Sequence, residues 1–178
     1  MRRTRMPAWL GRMALERHMD AVRTYTTLGW PVCTATYAVN DGCSCGRPSC
    51  TAPGAHPASA PTTRASEIAS VLRREPEANL MVATGHVTDA VEVPVPRGRA
   101  VLAGAPGIGP IAAAAETYVF FVASDEPLLT PGARWYGKGG YVLVPPSTLP
   151  SGHTMAWIRD PESPLPSMAA LATALFQS

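Results

Sequence analysis

Apolar positions along the chain recur with two periods, and these divide it into helices and strands. From Met13 to Leu28, Leu15, Met19, Val22 and Tyr25 return at steps of three and four, which predicts a helix with one core-facing stripe, ended by Gly29. Trp30–Tyr37, rich in β-branched and aromatic residues, predicts a strand. Thr63, followed by Ser66 and Glu67, reads as a capping box opening a second helix, with Ile68, Val71 and Leu72 facing the core and Pro76 ending it. Two apolar runs, Asn79–Thr84 and Ala90–Val95, flank a turn at Gly85-His86 and predict neighbouring strands. Arg97–Ala105 has the character of a helical turn, and the glycines and prolines from Gly104 to Pro110 that of a loop. Thr117–Ala123 is the strongest strand signal. Tyr141–Val144 and His153–Ile158 predict a hairpin across a turn-rich linker, and Met168, Leu171 and Leu175 predict a closing helix after Pro166. Helix, strand, loop, helix and then several strands with little helix between them is an α+β order, not an alternating parallel one.

Composition narrows this to one compact domain over residues 13–178, preceded by a basic arm at 1–12. The chain has 178 residues, 46% of them hydrophobic, enough to fill one core. Its 19 Pro and 15 Gly leave room for long loops without reaching the composition of a disordered chain. No apolar run approaches the roughly 18–20 residues of a membrane span, and the start lacks the apolar stretch of a secretory signal, so a cytoplasmic protein with no membrane partner is expected. The same Arg-rich, acid-free start is also the composition of a transit peptide, but helix-forming sequence follows it at once. Arg2, Arg3, Arg5 and Arg12 carry the positive balance. Without them 11 basic residues face 13 acidic ones, and Lys138 is the single lysine. A body of that charge lacks the basic excess of a protein that tracks a phosphate backbone.

Residues 39–61 have no periodicity and hold three of the four cysteines. Cys43, Cys45, Cys50 and His56 offer three thiolates and an imidazole, a donor set suited to a structural tetrahedral zinc that would close a loop with no core of its own. Asp41 is a weaker candidate ligand, and free thiols are the alternative reading. Cys33, within the first strand, reads as a small buried hydrophobe. Lys138, between two glycines, suits either a phosphate contact or a solvated turn. His86 and His153 lie in no base or ligand arrangement. Trp30, Trp135 and Trp157 read as packing residues, with base stacking the alternative. The stretch GAPGIG lacks the Lys-Ser/Thr ending of a phosphate loop.

Four stretches together resemble the N-terminal domain of bifunctional DNA primase/polymerases, within the archaeo-eukaryotic primase superfamily: Leu28–Val32, Cys43–Pro57, Pro61–Gly85 and Gly139–Trp157. The resemblance implies an α+β domain built on an RRM-like mixed sheet with flanking helices and a zinc-stapled loop, the zinc held by Cys43, Cys45, Cys50 and His56. It also implies two divalent ions, Mg or Mn, held by acidic side chains for in-line phosphoryl transfer. At the family's first acidic pair this chain has Glu92 and Pro94, and proline cannot ligand a metal. Thr117 or Tyr118 stands where the family has a histidine, and Arg134 aligns with a third acid. The connection between Pro96 and Ala115 is shortened.

The departures predict a primase/polymerase-like domain that has lost nucleotidyl transfer and serves as a nucleic-acid- or nucleotide-related binding or regulatory module. It would work with DNA, nucleotide or a separate protein partner, and Lys138 and Arg134 are the candidate contacts. One alternative is an active primase or polymerase using Glu92 with Asp89 or Glu116. Asp89 and Glu92, three apart, would face opposite ways on a regular strand. A protein-interaction adaptor with no nucleic-acid role is the other alternative.

Overall fold

The computed structural model describes residues 8–40, 42–125 and 131–177, with side chains from residue 12 onward. Arg2, Arg3, Arg5 and Asp41 lie outside the described residues. In chain order the elements are α1 (Ala8–Thr27), β1 (Val32–Ala35), β2 (Ala38–Val39), β3 (Gly42–Cys43), α2 (Ala65–Leu72), β4 (Asn79–Ala83), β5 (Thr88–Pro94), α3 (Val95–Gly104), β6 (Ile111–Ala113), β7 (Thr117–Ala123), β8 (Arg134–Tyr136), β9 (Tyr141–Val144), β10 (Ala156–Arg159) and α4 (Met168–Phe176). No helix among the described residues is long and apolar enough to cross a membrane.

The strands form a three-stranded sheet of order β1-β4-β9, a five-stranded sheet of order β10-β6-β7-β5-β8, and the small β2-β3 hairpin. The architecture is α+β as expected, but each of these pairings is antiparallel, so the sheet is not mixed. One face of the five-stranded sheet, with Val91, Val93, Phe120 and Val122, packs on Val101 of α3 and on Met168, Leu171 and Leu175 of α4. The Arg97 guanidinium ties these two helices by donating to the Leu175 carbonyl at 3.0 Å. The other face, with Ala90, Ala112, Val119 and Phe121, shares a core with the inner residues of the three-stranded sheet and with α1 and α2.

Aromatic side chains join the two sheets. The Trp30 ring stacks on Phe121 at 5.2 Å and on Tyr25 at 5.9 Å, while Trp157 lies 5.3 Å from Phe121. The Trp157 Nε1–H donates to the Tyr25 hydroxyl, which donates to the Pro145 carbonyl. Trp30 and Trp157 therefore act as packing residues. Truncating a buried aromatic of this kind costs about 3–5 kcal/mol.

Several expectations are corrected. The first helix starts at Ala8 rather than Met13. The Thr63 capping box does not form: α2 is capped at Arg64 with no side-chain bond, and the nearby hydroxyl that accepts a backbone N–H is that of Thr62, from Arg64. The runs before and after Gly85 are not neighbours, because β4 and β5 belong to different sheets. Thr84 drives the crossing: its N–H donates to the Gly140 carbonyl and its hydroxyl to that of Gly137. Nor do β9 and β10 form a hairpin. The first pairs with β4 and the second with β6, leaving only a Thr148–Thr154 bridge between their ends.

Candidate metal centre and the Glu92 face

The cysteine loop is shaped by local backbone chemistry before any ion is considered. Asn40, with φ of 51°, turns the chain between β2 and β3, and the hairpin brings Cys43 opposite Ala38. The Tyr37 N–H donates to the Ser44 hydroxyl, and the Ser44 N–H donates to the Tyr37 carbonyl. The Gly46 N–H then closes a tight turn on the Cys43 carbonyl, placing Cys45 beside it. The returning arm runs antiparallel along the free edge of β1. Thr36 donates to the His56 carbonyl, Ala35 bridges to Pro57, and Ala58 donates to the Thr34 carbonyl. Asn79, buried at the start of β4, anchors the loop from below by donating from Nδ2 to the Gly54 and Thr148 carbonyls, both at 2.9 Å.

These constraints bring the Sγ atoms of Cys43, Cys45 and Cys50 and a ring nitrogen of His56 within 4.8 Å of one another. Cys43 Sγ and His56 Nε2 are 3.5 Å apart. A tetrahedral zinc with bonds of about 2.3 Å to sulfur and about 2.0 Å to nitrogen has an S···N edge of about 3.5 Å, so the donors fit that ion. His56 Nδ1 lies 3.3 Å from the Pro57 carbonyl, which leaves Nε2 as the inward donor. Burial opposes ionisation of Cys43, yet the N–H groups of Cys45 and Gly54 and the Thr36 hydroxyl bring its thiol down to about 5. Cys50 is moved the other way: an N–H from Ala52 favours its thiolate, but desolvation and the neighbouring sulfurs of Cys43 and Cys45 outweigh it. Crowded thiolates of this kind are stabilised by a shared cation. The cluster is consistent with a structural zinc site with all four positions taken by protein.

The acidic positions lie elsewhere, on β5. Glu92 sits directly opposite Arg134 of β8 and Val119 of β7. Both of its carboxylate oxygens are engaged: the Thr117 hydroxyl donates to Oε1 and the Tyr136 hydroxyl to Oε2, each at 2.7 Å. Burial, together with the bond to Glu92 and its charge, raises the Tyr136 phenol above its ordinary range and keeps it a donor. The Arg134 guanidinium lies over the Tyr136 ring, 4.8 Å from its centre. Pro94 is exposed at the end of the same strand, and Glu116 is exposed in the turn before β7.

Asp89 is on the opposite face. It is 1% exposed, accepts from the Gly85 N–H and the Ser124 hydroxyl on Oδ1, and faces the Trp135 indole N–H at 3.3 Å from Oδ2. Asp89, one of the two partners that the active-enzyme alternative offers Glu92, is therefore not brought to it. Tyr118 likewise turns away from Glu92, toward α3, while Thr117 turns to it. Tyr136 and Asn79 escaped sequence reasoning. The signal for Tyr136 was its place two residues after Arg134, which puts both on one face of a strand. Lys138 is exposed in the glycine turn that follows.

Among curated proteins, none matches the chain. The family profile described as bifunctional DNA primase/polymerase, N-terminal, matches residues 22–170, a span that includes the cysteine loop, both larger sheets and the Glu92 strand. The chain belongs to the bifunctional DNA primase/polymerase N-terminal domain family.

Proposed function

We propose that this protein is a zinc-stapled member of its family that binds nucleic acid or nucleotide without transferring nucleotidyl groups. Family membership implies a primase/polymerase-related nucleic-acid function. The observation that carries the finer reading is the state of Glu92. Thr117 and Tyr136 each donate to one of its oxygens, which fixes the carboxylate between two hydroxyls of the sheet, whereas a two-metal site needs further carboxylates converging beside it. Pro94 supplies no ligand, Arg134 opposite Glu92 adds positive charge where an ion would sit, and Asp89 is committed on the other face. When bound, zinc would supply no reactive position. Held by Cys43, Cys45, Cys50 and His56, it would fix the loop against β1.

The expected result in primer extension, with magnesium or manganese and all four nucleotides, is no template-dependent incorporation. Incorporation by the wild type that is abolished in Glu92→Ala would overturn the reading and restore an active polymerase site.

A further inference from the structure

Trp135 departs from Trp30 and Trp157, which are packed into the aromatic core. Its side chain is at the open edge of the five-stranded sheet and 37% exposed. Two contacts hold the indole still. Its Nε1–H points to the buried Asp89 carboxylate, and its six-membered ring lies against Gly137, where a Cβ would come within 1.8 Å of the ring. Asp89 is itself fixed by Gly85 and Ser124. The result is a rigid aromatic plate with a free surface.

A cation is held beside it. Gly85 approaches the backbone of Lys138 so closely that a Cβ would stand 2.1 Å from the Lys138 Cα, and Gly85 adopts a φ of +86° that other residues resist. The Gly140 N–H donates to the Gly137 carbonyl, which also accepts from Thr84, closing the turn on its other side. The lysine backbone is pinned one residue beyond the glycine that the indole covers, and Lys138 is exposed. An ordered aromatic plate beside a free cation is the recurring recipe for sequence-tolerant binding of single strands, in which a base stacks and its phosphate meets the charge. Apart from Val87, the neighbouring exposed positions His86, Lys138 and Gly139 are polar or glycine.

We infer that Trp135 and Lys138 form a stacking and phosphate contact for single-stranded nucleic acid. The inference rests on the nucleic-acid reading above and gives it a location. Its test is fluorescence anisotropy of a short labelled oligothymidylate titrated with the full chain over a range of salt. Trp135→Leu is expected to weaken binding roughly tenfold or more, and Trp135→Phe, which keeps a stacking ring, to remain within about threefold of wild type. Lys138→Gln, at an exposed position, should reduce the slope of log affinity against log salt by about 0.7. Binding by the wild type that is unchanged in folded Trp135→Leu and in Lys138→Gln overturns this site and leaves the family reading standing. No binding by the wild type overturns the nucleic-acid reading beneath it.

Discussion

Cys33 and Cys43 are both buried, and their surroundings give them opposite chemistry. Cys33 lies among Ala35 and Met81 with no donor to favour a thiolate, and burial pushes its thiol up to about 12. Cys43 lies in a nest of backbone N–H groups beside the three other side chains of the candidate metal cluster. Alkylation followed by mass spectrometry should separate them. In zinc-loaded protein Cys43, Cys45 and Cys50 should be protected by the ion. After chelation these three should react, while Cys33 stays unmodified until the protein unfolds. Equal labelling with and without chelator would remove the metal from the account. The residue types carried this much legibly: three cysteines and a histidine in a loop without a core indicate a metal whatever the fold. Glu92 was legible only as an acid. Its two hydroxyl partners come from β7 and β8, and no local pattern relates strands that far apart in sequence.

At the scale of elements, the two shorter outer helices test what a cap contributes. Ser167 accepts the Ala170 N–H at the start of α4, whereas Thr63 makes no cap bond at α2. Ser167→Ala should lower the unfolding free energy by about 1 kcal/mol. Thr63→Ala should change it by less than about 0.5 kcal/mol, both read from denaturant midpoints. The sequence pattern alone predicts the reverse weighting, since Thr63 carried the fuller motif. Elements with long, one-sided patterns were legible: β7 spans Thr117–Ala123 as read, and α4 carries Met168, Leu171 and Leu175 inward. The three-residue strands β6 and β8 were not, because too few residues exist to show a period and the neighbouring strands, not their own propensity, hold them. Sheet membership was also hidden. The residues of β4 are all buried and those of β5 nearly so, and a strand covered on both faces gives no sign of its partner.

For the whole molecule, the charge distribution sets what kind of binding is open to it. The net charge of +2 depends on four arginines in the first twelve residues, and the remainder is slightly acidic. A broad electrostatic groove is therefore not available, and affinity has to come from a few ordered contacts with a shallow salt dependence. The architecture supplies such order. Two antiparallel sheets are joined by the Tyr25, Trp30, Phe121 and Trp157 cluster, the cysteine loop is sewn to β1 and Asn79, and the Gly85 and Gly137–Gly140 turns brace each other. On the proposed function, the fold takes zinc in the cysteine loop and no divalent ion on the Glu92 face. Crystals soaked with manganese and a nucleoside triphosphate, with diffraction recorded at the zinc and manganese absorption edges, test it most directly. A zinc peak among Cys43, Cys45, Cys50 and His56, with no manganese at Glu92, is the predicted result. Manganese bound by Glu92 together with a second carboxylate would contradict it.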